Sequence, residues 1–219
     1  ADVVFMATPD RVGMNNAAAE LAKGAKIIDC SGDFRFNTAE EYAEYATRVG
    51  KDPSHAAPDL LPLSVYGAPE LHRADINVDR KIVGNPGCFA ISCILGLAPA
   101  ANAKLFTPNS VICDCKSGIS GAGKKLAATF HYPNRYDMMN AYKLAGHQHV
   151  CEIERELSTL AGEKFKLTFT SQVVPLCRGI MSCLYADLRE DMTEEQVIEI
   201  YKEFYEDSPF VRVLPSTAA

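Results

Sequence analysis

The stretch DVVFMATPDRVGMNNAAAELAKGAKIIDC, residues 2–30, decides the fold class. It opens on Asp2-Val-Val-Phe-Met-Ala7, a short apolar run of strand character that begins almost at the first residue. Val12, Ala17, Ala18 and Leu21 then recur at helical spacing, and the pattern ends near Gly24. Lys26-Ile-Ile-Asp-Cys30 reads as a second buried strand. Strand, helix and strand in direct succession make a βαβ unit, which needs a parallel sheet.

Outward from this unit, Thr38 with Glu41 three residues on forms a capping box for a helix running to about Arg48. Residues 51–79 carry four prolines and little periodicity, so a long ordered loop or crossover is expected there. Lys81–Gly84 is a short strand, and Ala90–Leu97 is an apolar helical run after Pro86-Gly87. Beyond residue 100 the pattern becomes richer in strands. Ser110–Cys115 and Ile180–Leu188 read as strands, and Phe165, Leu167 and Phe169 alternate in an antiparallel style. Val150, Ile153, Leu157 and Leu160 mark one helix face; Thr193 with Gln196 opens a last helix carrying Val197, Ile200, Tyr201 and Phe204. The pattern predicts α/β plus α+β in two domains, with the seam near residues 85–100.

The 219 residues are 47% hydrophobic and 23% charged, ordinary for a globular chain with one good core or two small ones. Lys and Arg total 22 against 28 Asp and Glu, a net charge of −6, so no broad footprint for nucleic acid or anionic membrane is expected. No apolar run approaches the ~20 residues that cross a bilayer, and the N-terminus lacks the layout of a signal peptide. Eight cysteines sit mostly in apolar stretches, as buried free thiols do, which points to a reducing cytoplasm.

Three segments carry candidate chemistry. Gly84-Asn-Pro-Gly-Cys88-Phe-Ala follows a short strand and opens a helix, whose positive end favours a thiolate; Cys88 is a candidate nucleophile, or else a small apolar residue at a helix start. Gly146-His147-Gln148-His149 supplies histidines able to exchange a proton near neutral pH, although both also suit a helix start; a metal site built with Cys151 matches no zinc spacing. Ser117-Gly-Ile-Ser-Gly-Ala-Gly-Lys124-Lys125 nearly satisfies the phosphate-loop pattern, but Lys125 stands where a hydroxyl should reach magnesium. An anion cradle and a plain turn both fit that loop. Arg35 in Ser31-Gly-Asp-Phe-Arg35 and Arg178 in Val174-Pro-Leu-Cys-Arg178-Gly179 add two guanidinium groups suited to a carboxylate or phosphate.

Asn85-Pro-Gly-Cys88, Ser117–Gly123, Gly146–His149 followed by Glu152-Ile153, and Val174–Gly179 occur in the order seen in N-acetyl-gamma-glutamyl-phosphate reductases of arginine biosynthesis. Ser31–Arg35 and Tyr66-Gly-Ala-Pro-Glu70 resemble that family too, so the likeness runs along nearly the whole chain. The resemblance implies the remainder of a Rossmann-type NADP-binding domain over residues 1–87. Residues 88–219 would form a semialdehyde-dehydrogenase-like catalytic and dimerisation domain, akin to that of glyceraldehyde-3-phosphate dehydrogenase. It implies an oxidoreductase in which Cys88 attacks an acyl phosphate, NADP(H) reduces the resulting thioester, and His147 or His149 moves the proton. Asn85, Arg35, Arg178 and Ser117 would bind a small acidic substrate, and Thr8, Pro9, Ser31, Gly32, Gly118, Ser120 and Gly121 the cofactor. A homo-oligomer, dimer or tetramer, is implied, formed through the sheet of the second domain.

The chain departs from that pattern at Gln148, where the family usually has Arg, and at its two ends. Relatives begin with a strand and a Gly-x-x-Gly-x-x-Gly turn, and they continue past Leu214-Pro-Ser-Thr-Ala-Ala219 with a strand and a helix. The resemblance therefore implies a fragment without the pyrophosphate clamp and with weak NADP binding. Two other activities stay open: the same chemistry on N-acetyl-aminoadipyl phosphate, in lysine biosynthesis, and nucleotide binding through Gly118–Lys124. So does a non-enzymatic remnant that keeps only fold and assembly contacts.

Overall fold

The computed structural model describes residues 1–77, 79–144 and 146–215. Residues 216–219, with which the second expected domain closes, lie outside the described residues. The chain divides into two compact units, Ala1–Ile91 with Asp207–Phe210 and Ser92–Glu206 with Val211–Ala219.

The first unit is a parallel sheet with helical connections. Strands β1 (Val3–Met6) and β2 (Lys26–Asp29) are joined by helix α1 (Val12–Ala22) and pair in parallel, Val3 opposite Lys26 through Met6 opposite Asp29. Gly24 takes a left-handed φ of 83°, which lets the chain turn out of α1 into β2. Helix α2 (Ala39–Arg48) starts at the expected cap, where the Thr38 hydroxyl accepts from the Glu41 N–H at 3.2 Å, but the Glu41 carboxylate accepts from the Asn37 N–H at 3.2 Å, one residue before the partner a capping box requires.

The proline-rich stretch is more structured than its composition suggests. A 3-10 turn, Pro58–Leu63, leads into strand β3 (Ser64–Tyr66), and helix α3 (Pro69–His72) follows. Strand β3 is three residues long and buried throughout, so it has no alternation by which to be recognised. It pairs in parallel with β4 (Ile82–Gly84), which pairs in turn with β2, giving the order β1-β2-β4-β3.

The second unit begins in helix α4, which spans Cys88–Asn102. Strands β5 (Ile112–Ser117), β6 (Asn140–Tyr142), β7 (Thr168–Val173) and β8 (Ile180–Tyr185) form a mixed sheet of order β6-β7-β5-β8. Two expectations are corrected here. Strand β7 runs parallel to β5 and antiparallel only to β6, and it starts at Thr168, after the alternation of Phe165 and Leu167. Strand β6 has only three residues and no apolar alternation to betray it.

Cys113, Cys115 and Ser117 of β5 and Phe169 and Val173 of β7 are buried on one face of this sheet. Helix α4 packs there so closely that a Cβ on Gly96 would lie 2.3 Å from Leu184 Cδ1. The Cys93 and Cys115 thiols meet at 3.4 Å; the contact with Cys113, with burial, pushes Cys93 far up from the ordinary thiol range, and the contact with Cys93, with burial, does the same to Cys115. Pro99 lies inside α4 and has no N–H for the carbonyl of Leu95, four residues earlier. The Tyr205 hydroxyl, just past helix α6 (Glu194–Phe204), supplies the missing donor at 2.6 Å. Helix α5 (His149–Ala161) buries Val150, Ile153 and Leu157, as its periodicity requires.

Candidate active site

In the first unit the carboxyl ends of β2 and β4 lie side by side, Asp29 opposite Gly84, and the Asn85 N–H continues the ladder onto the Asp29 carbonyl at 2.7 Å. Asn85-Pro-Gly then turns the chain into α4. The Gly87 carbonyl accepts from the Ile91 N–H at 2.9 Å, so Cys88 occupies the first helical position, and its residue is exposed. A thiol at a helix N-terminus receives the partial positive charge of the unsatisfied N–H groups, the setting that activates cysteine.

Arg35 is buried, 7% exposed, and donates from Nε to the Asn85 carbonyl at 2.8 Å and from Nη2 to the Cys30 carbonyl at 3.2 Å. The expected substrate contact is thus a guanidinium held among backbone carbonyls. Ser31 and Gly32, expected at the cofactor, are turned inward as well. The Ser31 hydroxyl and N–H both go to Asp29 Oδ1, and the Gly32 N–H donates to Asp10 at 2.9 Å. Thr8 and Pro9 are exposed in the turn after β1.

Sequence reasoning passed over the carboxylates that organise this end of the sheet. Asp33 accepts from the backbone N–H of Arg11, at 2.8 and 2.9 Å, and from that of Met14, at 3.0 Å, so it caps α1 from the neighbouring loop. This contact holds Arg11 at a left-handed φ of 74°. Asp29 is fully buried, and its Oδ2 has no hydrogen-bond partner among the described residues. A Cβ at Gly13 would sit 2.2 Å from that oxygen. Burial, with the charge of Asp33 adding to it against the Ser31 hydrogen bonds, raises Asp29 to about 6. Only the local Ser31-Gly-Asp-Phe-Arg35 motif pointed here, and nothing in it marks which carboxylate is raised in pKa.

In the second unit His147 and His149 are both buried, with ring centroids 4.7 Å apart. His147 Nδ1 accepts the His149 N–H at 3.2 Å, and its ring rests against Phe169 at 5.0 Å. Burial first, then the neighbouring His149 and Lys143, drives its pKa down to about 3. His147 is therefore neutral near pH 7 and serves as the acceptor for the His149 backbone. Gln148 accepts from the Lys143 ammonium at 2.9 Å, which brings a cation to the position where Arg was expected. Cys151 lies on α5 and donates to the Gln148 carbonyl at 2.9 Å; no metal-binding cluster occurs among the described residues.

The loop after β5 is not a phosphate cradle. No α-helix follows it, only the 3-10 turn Ile119–Ala122. Its N–H groups are engaged: Gly118 donates to Gly179 at 2.9 Å, Ile119 to Leu176 at 2.8 Å, and Ser120 to Cys177 at 2.9 Å. The Gly121 N–H makes a longer bond to Gly118 at 3.4 Å. A phosphate would have to displace these bonds, so the nucleotide-triphosphate reading falls. The Ser117 hydroxyl is buried on the Gly118 carbonyl at 2.9 Å. Gly118 is required because a Cβ would come within 2.9 Å of the Arg178 backbone. The same contact fixes Arg178, which is exposed. Beyond the turn, Gly123, Lys124, Lys125, His131 and Tyr132 border an open cavity of about 690 Å³.

These two units, a parallel α/β sheet ending in an exposed thiol and a mixed α+β sheet, define a two-part dehydrogenase-type architecture. A family model for the semialdehyde dehydrogenase dimerisation domain matches residues 88–219, and one for the semialdehyde dehydrogenase NAD binding domain matches residues 1–78. The chain belongs to the semialdehyde dehydrogenase family. An N-acetyl-gamma-glutamyl-phosphate reductase of Syntrophobacter fumaroxidans is 44% identical, covering 97% of this chain and 60% of that protein. One of Desulfotalea psychrophila is 42% identical, over 100% of this chain and 62% of its own length. The chain thus spans about three fifths of the curated relatives it matches. The fold is shared with the aspartate semialdehyde dehydrogenase II of Vibrio cholerae, at TM-score 0.63 and 14% identity, covering 93% of this chain and 60% of that one.

Proposed function

We propose that this chain carries the catalytic cysteine of an NADPH-dependent reductase that converts N-acetyl-glutamyl 5-phosphate to N-acetylglutamate 5-semialdehyde, a step of arginine biosynthesis. The observation that carries the reading is the exposed Cys88 at the first position of α4. The names of the relatives support the choice of substrate.

In this reading the Cys88 sulfur attacks the acyl carbon; a C–S bond forms, the bond from that carbon to the phosphate oxygen breaks, and phosphate leaves. An acyl phosphate is activated enough for a thiolate to displace, and the thioester accepts a hydride more readily than a carboxylate does. NADPH, when bound, supplies the hydride that takes the acyl carbon to the aldehyde level. The C–S bond then breaks and the thiolate is restored. The thiol proton passes to a base during attack and returns afterwards, a task that the resemblance gives to His147 or His149. Arg178, exposed, contacts the anionic end of the substrate, and Asn85, exposed next to the thiol's turn, contacts its acyl end.

The residues present fit only the margin of a dinucleotide. Thr8 and Pro9 are open to it, whereas the α1 N-terminus is already capped by Asp33, a carboxylate that repels a pyrophosphate. Thr8 and Pro9 would therefore line the cofactor, with its pyrophosphate held elsewhere in the protein. A location in the cytoplasm accords with eight free cysteines, and no helix among the described residues is long and apolar enough to cross a membrane.

A second copy of the chain would cover the open face of the β6-β7-β5-β8 sheet, where Ile112, Met181 and Tyr185 are 44%, 59% and 56% exposed. The dimerisation-domain match over residues 88–219 supports a copy of the same chain as the occupant.

The test is to mix the protein with N-acetyl-glutamyl phosphate, quench in acid, and map the peptides by mass spectrometry. An acyl adduct on the Cys88 peptide, absent from Cys88→Ser, is the expected result. Adduct on other cysteines alone, or none in a folded protein, overturns the assignment.

A further inference from the structure

We propose that Arg35 is a positioning residue, whose buried guanidinium sets the Asn85–Cys88 turn and so presents the Cys88 thiol at the start of α4; the inference rests on Cys88 being the nucleophile.

Pro86 has no N–H to donate, and the Asn85 amide makes only a 3.3 Å bond to the carbonyl of Pro86. Ahead of the turn, the backbone of Phe34 and Arg35 lies directly on Gly84, where a Cβ would be 2.0 Å from the Phe34 carbonyl oxygen and 2.8 Å from the Arg35 nitrogen. From there the Arg35 side chain reaches the carbonyl of Asn85 with Nε at 2.8 Å and that of Cys30 with Nη2 at 3.2 Å. One rigid fork thus fixes the first residue beyond β2 to the first residue beyond β4. The carbonyl of Gly87, two and three residues before the buried Phe89 and Ala90, ends the turn by accepting from Ile91 at 2.9 Å. Cys88 follows directly on these two anchored carbonyls.

Charge-assisted hydrogen bonds are about twice as strong as neutral ones, and the planar fork of arginine can serve two acceptors at fixed spacing where lysine offers a point charge. At 7% exposure Arg35 presents little to a substrate, in contrast to the exposed Arg178. The two arginines that the sequence presents as equivalent have divided tasks: one holds the turn, the other meets the anion.

The experiment compares wild type, Arg35→Gln and Arg35→Lys in the full-length protein. Iodoacetamide labelling of Cys88 is followed by peptide mapping from pH 5 to 9, beside kcat and KM for the acyl phosphate and thermal melting. In a folded Arg35→Gln, Cys88 labelling at pH 6 and kcat fall about 10- to 100-fold, the range that a displacement near 1 Å produces. KM stays within about threefold, the labelling profile moves toward that of an ordinary thiol, and Arg35→Lys recovers part of the loss. Wild-type labelling in Arg35→Gln with a raised KM alone would make Arg35 a substrate contact and sink the proposal. If Arg35→Gln fails to fold, Arg35→Lys decides: full labelling and full kcat there refute the need for the fork, and reduced values support it. A wild type in which Cys88 labels no faster than the other thiols overturns the nucleophile assignment itself, and this inference with it.

Discussion

The backbone N–H of His149 donates to Nδ1 of His147 across 3.2 Å, at the point where α5 begins. That bond exists only while Nδ1 is unprotonated, so one histidine serves as a structural acceptor for the other's backbone.

Acid stability should report this bond. The folded pKa of His147 is lowered from 6.5 to about 3, so its contribution is fully present above pH 6.5 and is lost as pH falls toward 3. His147→Asn keeps a side-chain acceptor without a proton to gain. Urea unfolding between pH 7.5 and 4.5 should show wild type losing up to about 1.4 kcal/mol per pH unit relative to the variant below pH 6.5. Parallel curves would mean that His147 titrates normally in the fold.

Asp29 has the opposite sign. Its pKa is raised from 3.8 to about 6, so the folded protein binds more protons than the unfolded chain between those values, and stability falls as pH rises through the window. Asp29→Asn removes the titration while keeping the Oδ1 contact with Ser31 available. The stability of the variant relative to wild type should climb by about 3 kcal/mol from pH 3.5 to 7 and then level off. A flat difference would show that Asp29 is ionised throughout.

The bond from Tyr205 to the Leu95 carbonyl answers a defect that Pro99 creates inside α4. Tyr205→Phe fills the same space and leaves a carbonyl without its donor. It should cost about 1–3 kcal/mol by chemical denaturation, whereas Pro99→Ala combined with Tyr205→Phe should cost less than Tyr205→Phe alone, because the helix N–H returns. Equal losses in the single and double variants would remove Pro99 from the explanation.

Much of this architecture is legible in the sequence because periodicity and capping are local. The βαβ unit of residues 2–30, the Thr38 and Thr193 helix starts and the helix face of Val150, Ile153 and Leu157 all stand in the structure as read. Strands β3 and β6 escape notice because three residues carry no period, and what makes them strands is a neighbour distant in sequence. The candidate site is half legible for the same reason. Motifs picked out Cys88, both histidines and both arginines, but burial and hydrogen-bond partners decide their tasks. The Asp33 carboxylate on Arg11 and Met14, or the carbonyls of residues 176–179 on the glycine loop, are long-range contacts that no spacing records.

The open face of the second sheet offers the last prediction. Across β5 and β8, Ile112 faces Tyr185, Asp114 faces Cys183 and Lys116 faces Met181. Asp114 pairs with Lys116 and also accepts from Gln172, so the middle of this face is neutralised internally while its apolar flanks are left to water. A face of that kind is stable when another apolar surface covers it. Met181→Lys with Tyr185→Glu places charges on both flanks without touching the buried side of β8. In sedimentation of the full-length protein, wild type should run as a dimer or larger and the double variant as a smaller species with its circular dichroism unchanged. A wild-type monomer at tens of micromolar, or a double variant of unchanged mass, would place the contact between copies elsewhere.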